Sequence, residues 1–428
     1  MSIETTGRYL IMLPDQDLEA GIQALADATG IQNIARAGDF ENHAFTTAEL
    51  DSPNVSVFDR LGVAVAPLDP DQVQSVRVAA AAQQNVLAIQ PERVVYALQT
   101  GLSADYLRGY RDAATHLCDQ VGPQPITGRG QQANAELTDG TNTWGLQATG
   151  VVESAYSGLG IKVAVLDTGL DLNHPDFAGR SIQSQSFISG ETVQDANGHG
   201  THCLGTACGP SEPPELPRYG IAYNAEIFVG KVLSDRGSGS DSGILAGIEW
   251  AIDSGCAVIS MSLGAPTRPG DTFSPIYEQV GQVALQNGSL IIAAAGNDST
   301  DRTTGTRLDP PNPVSYPANA PSLIAVAALD NQLQVAPFSN GTINRDGGQV
   351  DIAGPGVDVY SSWPMPERYL SISGTSMATP HVAGIAALYA EATGARGLEL
   401  WAWLMRDAQR LSLPGTDVGI GLGQAPQL

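Results

Sequence analysis

Between positions 161 and 330, five short segments are apolar almost without interruption: IKVAVLD (161–167), EIFVGKVL (226–233), CAVISMSL (256–263), SLIIAAAG (289–296) and LIAVAALD (323–330). A strand with apolar residues on both faces has to be covered on both faces, as in a parallel sheet held between two layers of helices. The intervening stretches GILAGIEWAIDSG (243–255) and SPIYEQVGQVALQNG (274–288) carry apolar residues at helical spacing and supply such layers. The expected fold class is therefore α/β, a mainly parallel β-sheet sandwiched by helices. Functional residues in sheets of this kind gather at the carboxyl ends of the strands.

The first hundred residues follow another pattern. RYLIML (8–13) and LGVAVAPL (61–68) read as strands, and NVLAIQPERVVYAL (85–98) returns to strand. DLEAGIQALADATG (17–30) reads as a helix with Leu18, Ile22 and Leu25 on one face and Gly30 as its stop, and PDQVQSVRVAAAAQQ (70–84) as a helix opened by Pro70. With a strand near Ile31 to Arg36 the order is βαββαβ, a small α+β N-terminal domain. A helix carrying Leu102, Tyr106, Ala113, Leu117 and Val121 is then expected, followed by a polar Gly/Pro-punctuated stretch. The expected organisation is an N-terminal domain over 1–98, a linker with a helix over 99–140 and an α/β domain over 141–428.

The chain has 428 residues, 42% of them hydrophobic, enough for a large core. Its 45 acidic residues against 21 basic ones give a net charge of -24 and exclude nucleic acid and anionic membrane surfaces as partners. Only Lys162 and Lys231 are lysines, a bias that a salty habitat or genomic base composition would each produce. No apolar run reaches the roughly 18 residues of a membrane span. The opening residues lack the pattern of a secretory signal, so the chain as written points to the cytoplasm, with secretion as the alternative. Of the four cysteines, Cys203 and Cys208 lie five apart in an expected helix, where their side chains are held apart; with Cys118 and Cys256 they read as unpaired, which fits a reducing compartment, a long-range bridge being the alternative.

Four residues could carry chemistry. Asp167 ends a strand beside Thr-Gly, where it could equally cap a turn. His199 sits in DANGHGTHCLGTACG (195–209), where HGTH also sets His202 at i+3 and leaves a metal pair open. Asn297 ends SLIIAAAGN as a turn residue or as an amide donor to an oxyanion. Ser376, in GTSMATPHVAG (374–384), would stand at the first turn of a helix with Thr375 as a good N-cap, and Pro380 would start or kink that helix. Either a polar loop caps a buried helix, or Ser376 is a nucleophile.

Taken together, VAVLDTGLDLNHPDF, GHGTHCLGTA and GTSMATPHVAG, in that order, resemble the three signatures of the subtilisin-like serine proteases. The resemblance covers about 144–395, and HGTHC with RYGIA and YSSWPMPERYLSISGTSMATPHVAG look most like the proteinase K branch. It implies Ser376 as nucleophile, His199 as general base, Asp167 as its orienting acid, and Asn297 with the Ser376 amide as oxyanion donors. It also implies that substrate peptides pair as an added strand between Ser238-Gly239-Ser240 and Ser262-Leu263-Gly264. A first pocket would be walled by Ser262 to Gly264 and by Ala294, Ala295 and Gly296, with its floor near Val314 or Ser315.

No cofactor is implied for catalysis. A structural calcium ion is, held by the carbonyls of Pro321 and Leu323 and the carboxylate of Asp351. The Asn-rich calcium loop of other subtilases has no counterpart in ACGPSEPPELPRYG, and Cys203 resembles a thiol some relatives carry behind the catalytic His. The N-terminal unit is similar to the family's inhibitory propeptide. It would lay Val94 to Leu98 into the cleft as an intramolecular inhibitor and be clipped within 97–140, or else stay attached as a regulatory domain. The expected partners are protein or peptide substrates. The competing readings are a metal-dependent hydrolase built on Asp167, His199 and His202, and a peptide-binding protein without activity.

Overall fold

A computed structural model describes residues 4–14, 17–39, 45, 55–82, 85–98, 137–215 and 217–427. The expected helix over Leu102 to Val121, most of the 99–140 linker and Cys118 lie outside the described residues.

The N-terminal unit runs β1 (Thr5–Met12), α1 (Leu18–Thr29), β2 (Ile34–Arg36), β3 (Val55–Phe58), β4 (Val63–Pro67), α2 (Pro70–Ala81) and β5 (Ala88–Ala97). It holds one strand more than the βαββαβ expectation, because four residues over 55–58 pair with both β2 and β4. Local chemistry sets the helix ends. Asp17 caps α1, and Gly30 closes it at φ 71°, a left-handed position that favours glycine. Asp69 and Gln72 form a capping box around Pro70 at the start of α2. The strands lie in the order β5-β1-β4-β3-β2. One face of this sheet buries Ile11, Leu13, Val55, Val57, Ala64 and Ala66 with Leu25 of α1 and Val76 of α2. The opposite face carries Leu10, Phe58, Val63, Val65 and Val95 into the core of the larger unit.

The larger unit comprises α3 (Trp144–Ala148), β6 (Lys162–Asp167), β7 (Ile182–Ser186), α4 (His199–Cys208), β8 (Glu226–Lys231), β9 (Ser238–Ser240) and α5 (Asp241–Asp253). After these come β10 (Val258–Met261), β11 (Leu263–Gly264), α6 (Pro275–Gln286), β12 (Leu290–Ala294), β13 (Ile324–Leu329) and β14 (Ile352–Pro355). The hairpin β15 (Val359–Ser362)–β16 (Tyr369–Ile372) leads into α7 (Thr375–Thr393), α8 (Gly397–Asp407) and α9 (Gly415–Val418). Seven strands in the order β14-β13-β12-β10-β6-β8-β7, all pairs parallel, form the central sheet.

The expected α/β sandwich is present. Along β6, Val163 and Val165 join the core under α4 and α7, while Ala164 and Leu166 join the core under α5 and α6. The two outermost strands escape the apolar-run criterion: β7 reads IQSQS because an edge needs little cover, and β14 reads IAGP. The core under α5 and α6 is continuous with the face of the N-terminal sheet that carries Leu10, Phe58, Val63, Val65 and Val95. No helix among the described residues is long and apolar enough to cross a membrane.

Candidate active site

The carboxyl end of β6 delivers Asp167, and the first turn of α4 delivers His199. Asp167 Oδ1 lies 2.7 Å from His199 Nδ1 and also accepts the Thr168 amide at 2.7 Å. Both side chains are buried, at 1% and 0% exposure. Burial alone disfavours the imidazolium, but the charge of Asp167 and the neighbouring Cys203 outweigh it and hold the His199 pKa well above its ordinary 6.5. His199 Nε2 is buried and has no hydrogen-bond partner.

Ser376 is the second residue of α7, whose N-cap is Gly374. The expectation that Thr375 caps this helix is overturned: no side chain caps it, because the Thr375 hydroxyl donates to Asn297 Oδ1 (2.8 Å) and accepts from the Gly296 amide (3.1 Å). With the Thr375 amide also on Asn297 Oδ1 (2.9 Å), the Asn297 carboxamide is held so that its Nδ2 faces the cleft. Pro380 sits inside α7 and has no N–H for the carbonyl four residues back, that of Ser376. That carbonyl is satisfied instead by Ser262 Oγ (2.8 Å) and, more weakly, by the Cys203 thiol (3.5 Å). Proline thus opens a site through which β10–β11 and α4 grip the serine.

The cleft is filled by the chain itself. β5 runs antiparallel to β9, pairing Val94, Val95 and Tyr96 with Ser240, Gly239 and Ser238, and antiparallel to β11, pairing Tyr96 and Ala97 with Gly264 and Leu263. At its end Leu98 O accepts from Asn297 Nδ2 at 2.5 Å and lies 2.5 Å from Ser376 Oγ. The same hydroxyl lies 3.0 Å from Ser262 O. The Asp167–His199 contact is thus made, while the Ser376 hydroxyl is turned toward two carbonyls rather than toward His199 Nε2. A Cβ on Gly374 would stand 2.8 Å from Leu98 O, so only glycine admits this approach.

Two of the three expected subsite segments, Ser238–Ser240 and Ser262–Gly264, flank β5. Leu98 is half-buried, and its Cδ1 would lie 3.1 Å from a Cβ on Gly264. Ala294 and Ala295 are fully buried, and Gly296, at φ 113°, packs against Ser315 Oγ. Of the two floor candidates, Ser315 adjoins Gly264 and Gly296, whereas the Val314 side chain lies by Gly348.

At the entrance to α5, Glu92 of β5 is fully buried, takes Arg8 Nε (2.7 Å) and Nη2 (3.0 Å), and accepts the Ser242 amide (2.9 Å). A carboxylate here meets the positive end of the helix. Sequence reasoning passed over Glu92 because its partners are about 84 and 150 positions away. Thr168 and Asp195 were also passed over, although both stand inside the motifs quoted for their neighbours.

His202 does not join His199 in a metal pair. Its Nε2 faces the carbonyls of Val359 (2.9 Å) and Leu370 (3.2 Å), and burial pushes its pKa down to about 3. Among the described residues, the group that does bring possible ligand atoms within 4.8 Å of one another is Asp167, His199 and Cys203. Burial raises the Cys203 thiol pKa, which fits a packing role. Cys203, Cys208 and Cys256 are buried and free. Pro321, Leu323 and Asp351 do come together, lining a cavity of about 130 Å³ with Asn319. Asn319 Oδ1 is buried without a partner, and burial lifts the Asp351 carboxyl to about 7.

Residues 158–423 match the model of the subtilase family, Peptidase_S8. The chain is similar to subtilisin DY of Bacillus licheniformis, 38% identical over 244 residues that span 57% of this chain and 81% of that one. Subtilisin Savinase of Lederbergia lenta is 41% identical over 249 residues, 57% of this chain and 82% of its own. Subtilisin E of Bacillus subtilis is 40% identical over 245 residues, but the match spans only 58% of its length. With a family match over most of the α/β unit and these identities, the chain belongs to the subtilase family of serine endopeptidases.

Proposed function

We propose that the protein is a subtilase made as a zymogen, in which the unit over 1–98 occupies the cleft of its own α/β unit until the chain is cut. The observation that carries this reading is Leu98 O between Asn297 Nδ2 and Ser376 Oγ, at the end of a strand sandwiched by β9 and β11. That is the position of a scissile carbonyl, and the bond it belongs to is Leu98–Gln99.

In the reaction, the Ser376 hydroxyl swings from Ser262 O to His199 Nε2 and gives up its proton there as Oγ bonds to the carbonyl carbon. Asp167 keeps the imidazole in the tautomer that can accept that proton and stabilises the cation that results. The oxyanion is held by Asn297 Nδ2 and the Ser376 amide. His199 then passes its proton to the departing amine as the C–N bond breaks, and water removes the acyl group by the same steps in reverse roles. The backbone pairing along Ser238–Ser240 and Ser262–Gly264 accepts many sequences. Leu98 beside Gly264 and the fully buried Val95 support a preference for apolar residues at those two positions.

The oxygen-rich set of Asp351, Asn319 and the Pro321 and Leu323 carbonyls fits a hard cation such as calcium, which would neutralise a buried carboxylate and satisfy an orphaned amide oxygen. HGTHC and its Cys203 support kinship with the proteinase K branch.

The test is intact mass and N-terminal sequencing of purified protein after incubation at neutral pH. A new terminus at Gln99, absent from Ser376→Ala, is the expected result. An uncut wild-type chain that hydrolyses added peptides would overturn the zymogen reading, and hydrolysis by Ser376→Ala would overturn the nucleophile.

A further inference from the structure

Asp195 lies four residues before His199 and is buried, at 2% exposure. Its carboxylate takes five hydrogen bonds. Oδ1 accepts from Thr168 Oγ1 (3.0 Å), the Asn197 amide (3.0 Å) and the Gly198 amide (2.9 Å). Oδ2 accepts from the Thr201 amide (2.9 Å) and Thr201 Oγ1 (2.7 Å). Four of these donors belong to the loop and first turn that carry His199. The Thr168 hydroxyl belongs to the turn that carries Asp167.

Thr168 closes the link. Its amide donates to Asp167 Oδ1 (2.7 Å), its hydroxyl accepts from the Gly200 amide (2.8 Å), and its carbonyl takes the buried Lys231 Nζ (2.6 Å). Asp195 and Thr168 therefore form one unit that joins the end of β6 to the start of α4. The amides at that helix start direct the positive end of the helix at the Asp195 carboxylate.

We propose that Asp195 is a positioning residue, which through Thr168 sets the Asp167–His199 alignment and so governs turnover while leaving substrate binding alone. The inference rests on the Asp167–His199–Ser376 reading above. Among the described residues, the hydrogen bonds of the Asp195 carboxylate go to Thr168, Asn197, Gly198 and Thr201 rather than to β5 or the segments that flank it, and a misplacement of about 1 Å in reacting groups costs on the order of 10²-fold in rate.

The experiment takes full-length protein, allows self-processing to run to completion, and measures kcat and KM on a peptide anilide together with Tm. Asp195→Asn, whose amide must present a donor to one of the two donor groups, is expected to lower kcat about 10- to 100-fold with KM within about twofold. Thr168→Val should do the same, and Thr168→Ser should restore turnover. The double variant Asp195→Asn/Thr168→Val should lose no more than the worse single one, because both break one unit. Asp176→Asn, another buried carboxylate, which takes the hydroxyls of Tyr219 and Tyr369, is the control: lower Tm with unchanged kcat. If Asp195→Asn fails to fold, the Thr168 pair decides alone. Wild-type kcat in Asp195→Asn or Thr168→Val, a loss carried by KM, or equal damage from Thr168→Ser and Thr168→Val overturns the proposal. A dead Ser376→Ala beside any of those outcomes leaves the triad reading standing; an active Ser376→Ala removes both.

Discussion

Leu98 O sits 2.5 Å from Asn297 Nδ2, so an amide donor on the loop after β12 already holds the last carbonyl of the N-terminal unit. Thr375 fixes the carboxamide that makes this contact, through two bonds to Asn297 Oδ1. Replacing Asn297 by Ala is expected to lower kcat about 10²–10³-fold with little change in KM, the size known for the corresponding donor in subtilisin. Steady-state kinetics on a peptide anilide checks it; an unchanged kcat removes Asn297 from the oxyanion site.

Activity should fall as the medium is acidified, with a midpoint above 6.5. His199 must be neutral to take a proton, and its conjugate acid is held well above that value, since the Asp167 charge outweighs burial. Asp167→Asn should move the acid limb of kcat/KM to lower pH and cost on the order of 10⁴-fold in kcat. A pH profile unmoved by this change would separate Asp167 from the titrating imidazole.

Glu92→Ala should shorten the time the N-terminal unit stays docked after cleavage. The change strands the buried Ser242 amide at the start of α5, a loss of about 1–3 kcal/mol for a buried polar group left unpaired, and removes the carboxylate that Arg8 contacts. The lag before full activity, followed alongside gel analysis of the cut chain, should contract. An unaltered lag means that the apolar face of the sheet alone sets release.

Calcium should stabilise the protein, and more at pH 8 than at pH 5. Without a cation, the Asp351 carboxyl titrates at about 7 against an ordinary 3.8. Its contribution to stability is then fully present below the ordinary value and is lost as pH rises through about 7. A bound cation reverses that loss and adds about 2.7 kcal/mol at a free concentration about 100 times Kd. Tm measured with chelator and with calcium at the two pH values checks this, and Asp351→Asn should erase the difference.

Much of the α/β unit can be read from local chemistry. The five apolar runs are strands because only burial on both faces tolerates them, and the alternation of Val163 and Val165 with Ala164 and Leu166 between two cores is what such a run means. Asp167, His199, Asn297 and Ser376 stand at strand ends and helix starts, where local motifs announce them. Two strands were not legible: the edge strand β7 needs no apolar face, and β3, although interior to its sheet, has only four residues.

Sequence alone determined the buried strands of the central sheet, the helices that cover them and the identity of the chemical groups, because periodicity, caps and turns are local properties of a chain. Tertiary structure alone decided that Leu98 meets Ser376 from 278 positions away, that Ser262 takes over the carbonyl released by Pro380, and that His202 turns from His199 toward the hairpin. Each depends on which buried polar group finds a partner once distant elements pack, and that choice is made by the whole core.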